Sequence, residues 1–500
     1  MLSRRTFLAS TAVSLGLPGL WARAASAEAK LWDLVVVGAG TAGLPAAIFA
    51  SRRGARVLLV DAAEDIGGTL HLANGQVSAA GTRLQRELGI EDSPDLHFDD
   101  VMRLSRQRAD PAVIRLTADH AGRTIDWLLD GGLVPLDGHP ITGASAGRLS
   151  YSARRYLWGE NEGRDLLAVL RRELAPELAS GRVELQLGTR VNGLLRTAEG
   201  AVSGVRSTVE GRTFAFRGRH VLLSTGGYAM NPQLFEKLVG HPAYAAGSYP
   251  HSQGDGLMLA VAVGGWLRGQ DLHRAGSGSI LTQDRFGARV YARFDTIPQR
   301  RPPWEVWVNR RGERFLREDE PDDYLRTRAL VQQPELRYAI VFDRKILEQA
   351  PVGIRDWDHE DLRGHFGHHP MFSVADTLPG LAERAGIDPA GLLATVAAYN
   401  RGVREGGPDP LGREHRPLPI AEPPFYAITQ LGSSATSSAG VVVDNRLRVL
   451  RGDGTPIANL YAAGEVLGSG ATMGAGFAPG MMLTPALTLG RLLGEQLIPL

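Results

Sequence analysis

With 500 residues, of which 43% are hydrophobic and 22% charged, the chain reads as a soluble globular protein too long for one core, so two domains or one domain with a large insertion are expected. The formal charge of +1 becomes −2 once Arg4, Arg5 and Arg23 are set aside (1 − 3), which leaves no basic footprint for nucleic acid. Zero cysteines exclude disulfides, thiolate metal sites, iron–sulfur clusters and covalently attached c-type haem, so electrons handled here sit on an organic cofactor and pass to a separate partner.

The chain opens with "SRRTFLASTAVSLGLPGLWARAASA": paired arginines, a modest apolar stretch from Phe7 to Trp21, and the small-residue sequence Ala25-Ser26-Ala27. This resembles a twin-arginine export signal cut before Glu28, so residues 1–27 are expected to be removed and the mature protein to be periplasmic. Next, "LWDLVVVGAGTAGLPAAIFASRRGARVLLVDAAE" predicts a strand at Leu34 to Val37, a Gly38-x-Gly40-x-x-Gly43 turn, a helix at Leu44 to Arg53 and a strand at Val57 to Val60 ending at Asp61. The first glycine turns the chain, the second lets backbone reach a pyrophosphate, and the third brings helix against strand; an acid 18 residues past Gly43 suits a ribose hydroxyl. This pattern specifies a dinucleotide site.

Further along, "GRLSYSARRYLWGEN" (147–161) clusters Tyr151, Arg155, Tyr156 and Trp158, and the run from 182 to 224 predicts short strands with glycine turns in a small antiparallel sheet. "GHFGHHP" (364–370) gathers His365, His368 and His369 without an acid at metal-ligand spacing, so it reads as a loop and no metal is expected. The stretch 376–400 predicts a helix, and a Pro/Gly-rich connector follows it. No Asp, Glu, Lys or Arg occurs between Glu465 and Arg491, a length that could span a bilayer. Gly468, Gly470, Gly474, Gly476, Gly480, Pro479 and Pro485 interrupt it, so it is expected to wall a ligand rather than cross a membrane.

Four separated pieces then decide which dinucleotide: the opening motif, "GGTLHLANGQVSAAGT" (67–82), "HVLLSTGGYAMN" (220–231) and "NLYAAGEVLGSG" (459–470). With "VNRRGERFLRE" (308–318) they resemble the fumarate reductase and ketosteroid dehydrogenase flavoprotein superfamily from about residue 31 to the C-terminus. The resemblance implies an α/β fold: a doubly wound, Rossmann-like FAD-binding domain, at 28–236 and 373–500, interrupted by an α+β cap domain at 237–372. It also implies that Gly38, Gly40 and Gly43 face the pyrophosphate and Asp61 the adenosine ribose, and that Gly68, Thr69 and Ser78 lie against phosphate and flavin. Val191 would contact adenine, Thr225 and Gly226 would pack on the cofactor, Glu465 would bind its ribityl or ribose side, and the backbone from Gly480 through Met481 to Leu483 would face the flavin. Thr69, Ser78 and Thr225 also read as plain turn residues. Because Thr69 stands where some relatives have a histidine bonded to FAD, non-covalent FAD is expected.

Members that reduce dicarboxylates hold them with cations at positions that match Met473, Phe477, Thr436 and Asp322, so fumarate is not the expected substrate. Two dianion charges buried without partners would cost several kcal/mol each. The ketosteroid branch implies that the Gly480 N–H polarises a ketone and that proton transfer falls to Tyr324, with Asp322 and Tyr156 as further catalytic candidates. The reading is an FAD oxidoreductase that adds or removes hydrogen across a carbon–carbon bond beside a carbonyl of a neutral, cyclic or apolar small molecule, with a quinone or redox protein as electron partner. A urocanate reductase-like ene-reductase, an isomerase or hydratase that does not turn its flavin over, and a cofactor-loaded shuttle protein are the alternatives.

Overall fold

The computed structural model describes residues 30–144, 149–209, 211–241, 244 and 248–500; the expected export signal at 1–27 lies outside them. An eight-stranded sheet forms the first body, in the order Arg448–Leu450, Pro456–Ala462, Arg212–Leu223, Leu31–Val37, Val57–Val60, Val183–Gln186. The last five run parallel, as strands joined by crossovers must. Val191–Arg196 and Val202–Val209 pair antiparallel onto the Arg212–Leu223 strand, forming the small sheet expected between 182 and 224.

Local composition explains these elements. Leu34 to Val37 and Val57 to Val60 are continuous apolar runs, which suits strands covered on both faces. The helix Gly43–Arg52 buries nine of its ten residues between the sheet and the helix Leu483–Leu492. A Cβ on Gly490 would lie 2.1 Å from the Ala42 carbonyl oxygen, so the two helices touch backbone to backbone. That contact returns the C-terminus to the first glycine turn.

A second core holds a six-stranded antiparallel sheet in which Phe425–Ser433 pairs with Arg337–Asp343, Gly276–Leu281 and Phe372–Ala375. Both domain boundaries therefore differ from those expected at 236/237 and 372/373. Leu234, Phe235, Leu257 and Ala260 belong to the first core, and the Leu267–Arg268 strand pairs with Gly440–Val441. The second core runs from Ala275 to Leu431, and the chain re-enters the first core by Ala439. The stretch expected as one helix at 376–400 is two, Leu378–Ala385 and Pro389–Glu405. Gly386, at φ 67°, ends the first in a left-handed cap, and Asp388 caps the second through Gly391 N–H with Pro389 in its first turn.

Between the two bodies sits a smaller cluster that joins Val101, Met102 and Leu104 of the helix Pro94–Leu104 to Tyr151, Tyr156, Met473, Ala478 and Met481. Beneath it Arg155, fully buried, pairs with Asp92 at 2.7 Å and Asp100 at 3.0 Å.

Candidate active site

A cavity of about 360 Å³ opens at the carboxyl ends of the parallel strands, where doubly wound sheets place their ligands. Gly38, Gly40, Asp61, Gly68, Thr69, Val191, Thr225, Gly226, Glu465, Gly480, Met481 and Leu483 all line it. These residues include members of all four cofactor segments and of the uncharged stretch before Arg491, brought together by the fold. A Cβ on Gly40 would project into open space with no atom within 4 Å, which is the cradle a pyrophosphate needs.

Gly43 and Ser78 do not line the cavity. A Cβ on Gly43 would sit 1.8 Å from the Gly38 carbonyl oxygen, so this glycine serves the crossing of turn and helix. Ser78 is completely buried; its N–H donates to Thr484 Oγ1 at 2.8 Å and its hydroxyl lies 3.2 Å from that of Tyr151.

Two carboxylates polarise the cavity. Asp61 accepts N–H bonds from Ala39 at 2.6 Å and Ala63 at 2.8 Å, yet burial holds its pKa above the usual carboxylate value. Glu465 accepts from Ser437 N–H at 2.9 Å, and burial pushes it up to about 6. Both sit where they can accept hydrogen bonds from sugar or ribityl hydroxyls. Tyr249, His251 and Asp255 also line the cavity, and His251 acts electrostatically on Asp61. His71 does not line it; its Nε2 is 3.0 Å from the Ile66 carbonyl oxygen. The histidine nearest in sequence to Thr69 is thus held against the backbone of its own segment, with its side chain 35% exposed.

At the other end Met473, Phe477, Ala478 and Met482 make an apolar wall, with Thr436 beside it. Phe477 also lines a second, smaller cleft formed by Arg106, Arg274, Asp322, Asp323, Tyr324, Leu104 and Leu149. Phe477 is therefore shared by the cavity and by the cleft that holds the two acid–base candidates of the 317–328 segment. Asp322 caps the helix Asp323–Val331 by accepting Tyr324 N–H at 2.9 Å, and its other oxygen accepts from Arg106 Nη2 at 2.7 Å. The Arg106 guanidinium lies 5.2 Å from the Tyr324 ring centroid, and Arg274, 2.8 Å from Asp323, sits 5.8 Å from that of Phe477. Asp322 and Tyr324 thus share a cleft with the guanidiniums of Arg106 and Arg274.

Tyr156 is not part of either space. Its ring is buried against Trp158, 5.0 Å between centroids, in the short strand that pairs with Val77–Ser78, so its expected catalytic role finds no geometric support. Tyr151 and Arg155, of the same cluster, are likewise interior. The sequence by itself did not point to Arg106. A Cβ on Gly476 would lie 1.8 Å from the Leu104 carbonyl oxygen and one on Gly474 2.5 Å from Ala109 N, so the two loops touch. The chain turns there through Arg106 and Gln107 at φ 58° and 56°, left-handed values uncommon for non-glycine residues. Among the described residues no cluster of three or more His, Asp or Glu is arranged to hold a metal, and no helix is long and apolar enough to cross a membrane.

The FAD binding domain family matches residues 33–477, nine-tenths of the chain. The protein belongs to this family of flavoproteins. The flavoprotein is 30% identical over 482 residues to the fumarate reductase (cytochrome) of Shewanella frigidimarina, covering 94% of this chain and 78% of that one. The open conformation of a flavocytochrome c3 fumarate reductase superposes with a TM-score of 0.67 at 26% identity, again over 94% and 78% of the two chains. The 3-ketosteroid Δ1-dehydrogenase from Sterolibacterium denitrificans, with 1,4-androstadiene-3,17-dione bound, shares the fold: TM-score 0.68, 19% identity, 94% and 99% coverage. The protein is accordingly an FAD-dependent oxidoreductase.

Proposed function

We propose that the enzyme adds or removes hydrogen across a carbon–carbon bond adjacent to a carbonyl, on a neutral, cyclic or apolar substrate. The observation that carries this reading is the makeup of the space around Phe477. Met473, Phe477, Ala478 and Met482 present an apolar wall, and the neighbouring guanidiniums of Arg106 and Arg274 already hold the carboxylates of Asp322 and Asp323. A dicarboxylate would have to displace both. The fumarate reductase name of the 30%-identical relative thus gives the reaction type, while the wall argues for a different substrate.

Bound FAD supplies the hydride acceptor or donor. The chain's part is to hold the carbonyl at the Gly480 turn and to move one proton at the alpha carbon through Tyr324, the phenol that shares its cleft with Phe477 and Arg106. His71 facing away from the cavity supports FAD held without a covalent bond. The opening "SRRTF" and the Ala25-Ser26-Ala27 sequence support export to the periplasm, and the absence of cysteine supports a separate quinone or redox protein as the electron partner.

Anaerobic titration tests the substrate class. The oxidised yellow protein should be bleached by a ketosteroid or cyclic ketone, or the reduced protein reoxidised by a cyclic enone. Reoxidation by fumarate at rates of order 1 s⁻¹ or above overturns the neutral-substrate reading, and turnover of urocanate moves it to the ene-reductase alternative.

A further inference from the structure

Tyr151 is 2% exposed and lines neither space, yet its hydroxyl donates to the Pro479 carbonyl oxygen, the residue before Gly480. Its hydroxyl also lies 3.2 Å from Ser78 Oγ, and Ser78 N–H donates to Thr484 Oγ1, in the first turn of the helix Leu483–Leu492. The ring itself is clamped: the Arg155 guanidinium lies 4.9 Å from its centroid and the His97 ring 5.7 Å. Arg155 is in turn fixed by Asp92 and Asp100. Tyr151 is thus a rigid strut behind a turn whose front, Gly480 to Leu483, faces the cofactor cavity.

A planar trans peptide points its carbonyl and its N–H in opposite directions. Because Tyr151 takes the Pro479 carbonyl on the buried side, the N–H of Gly480 is turned away from Tyr151, and Gly480 lines the cavity. Gly480, at φ 78°, can take the bend, and a Cβ there would meet Ser78 N at 2.7 Å, so the turn has no slack toward Ser78.

We propose that Tyr151 is a positioning residue for the flavin: its hydroxyl fixes the 479–480 peptide so that the Gly480 N–H and the start of the Leu483–Leu492 helix are aimed at bound FAD. N–H groups held in place before charge develops stabilise an anion more than groups that must reorient, so this strut favours the reduced, anionic flavin. The inference rests on FAD binding alone and is independent of the substrate assignment.

Tyr151→Phe removes the hydroxyl and keeps the ring under Arg155. The two-electron reduction potential of the holoprotein, measured by dye-coupled reductive titration with FAD content and thermal midpoint followed in parallel, is expected to fall. A five- to tenfold loss of preference for reduced over oxidised flavin corresponds to about 20–30 mV. Ser78→Ala, which leaves the Pro479 bond in place, should shift the potential the same way by less, and it decides the matter if Tyr151→Phe does not fold. A potential that stays put or rises in loaded, folded protein overturns the proposal, since a purely structural tyrosine would lower only the thermal midpoint.

Discussion

Tyr324 and Asp322 compete for one chemical role in a shared cleft. Asp322 is engaged twice, by Arg106 and by the N–H of Tyr324 that it caps, whereas the Tyr324 ring lies beneath the Arg106 guanidinium. A carboxylate so engaged is a poor base, and its removal should loosen the helix start more than it slows chemistry. Tyr324→Phe is therefore expected to lower kcat by roughly 10² or more with FAD content unchanged. Asp322→Asn, which keeps an N-cap acceptor, should cost much less. Stopped-flow flavin reduction checks both; a silent Tyr324→Phe beside a slow Asp322→Asn transfers the role to Asp322.

Whole elements meet through glycine at the cofactor cradle. The crossing of the first turn with the helix Gly43–Arg52 leaves no room for a side chain, since a Cβ at position 43 would lie 1.8 Å from Gly38 O and 2.8 Å from Ser224 Oγ. Gly43→Ala should push the helix off the Leu31–Val37 strand, and the purified protein should be colourless or lose FAD on gel filtration; a yellow, stoichiometrically loaded variant would refute this packing account. The segment Gly68–His71 carries a second expectation. Thr69 lines the cavity and His71 does not, so acid or heat should release all FAD into the supernatant. Flavin that stays with the denatured polypeptide would contradict it.

For the molecule as a whole, burial of neutral histidines sets the acid limit. His97 and His273 are held down to about 3, each mainly by burial, with Arg155 acting further on His97 and with His241 and Arg274 acting on His273. The folded state refuses protons that the unfolded chain takes up below pH 6.5, so this stability is complete above 6.5 and is lost as pH falls toward 3. Five other histidines, His120, His220, His241, His369 and His415, are shifted in the same direction. Glu465, raised to about 6, opposes them: it keeps its proton in the fold, so its contribution shrinks as pH rises from about 4.5 to 6. The histidines outnumber it, and the urea midpoint of the apoprotein should decline from pH 7 to pH 5. His97→Met should flatten that decline; a midpoint independent of pH over this range would rule the explanation out.

The local part of this protein is written in its sequence. Strand Val57–Val60 matches its apolar run residue for residue, and the strand, glycine turn, helix and acid of the first unit follow from steric needs that act within thirty or so residues. The resemblance carried by the four cofactor segments placed Asp61, Thr69, Thr225 and Glu465 on one cavity, as the fold does. Where the cap ends was not legible, because only its distant partners, Arg337–Asp343, Gly276–Leu281 and Phe372–Ala375, assign the Phe425–Ser433 strand to the second sheet. Tyr151 and Tyr156 are five residues apart, alike in burial and chemistry, and nothing in "SYSARRYLW" separates a strut from a ring packed on Trp158. That distinction, like the meeting of Arg106 with Asp322 across 216 positions, depends on which distant backbone comes to rest against each side chain, and only tertiary packing decides it.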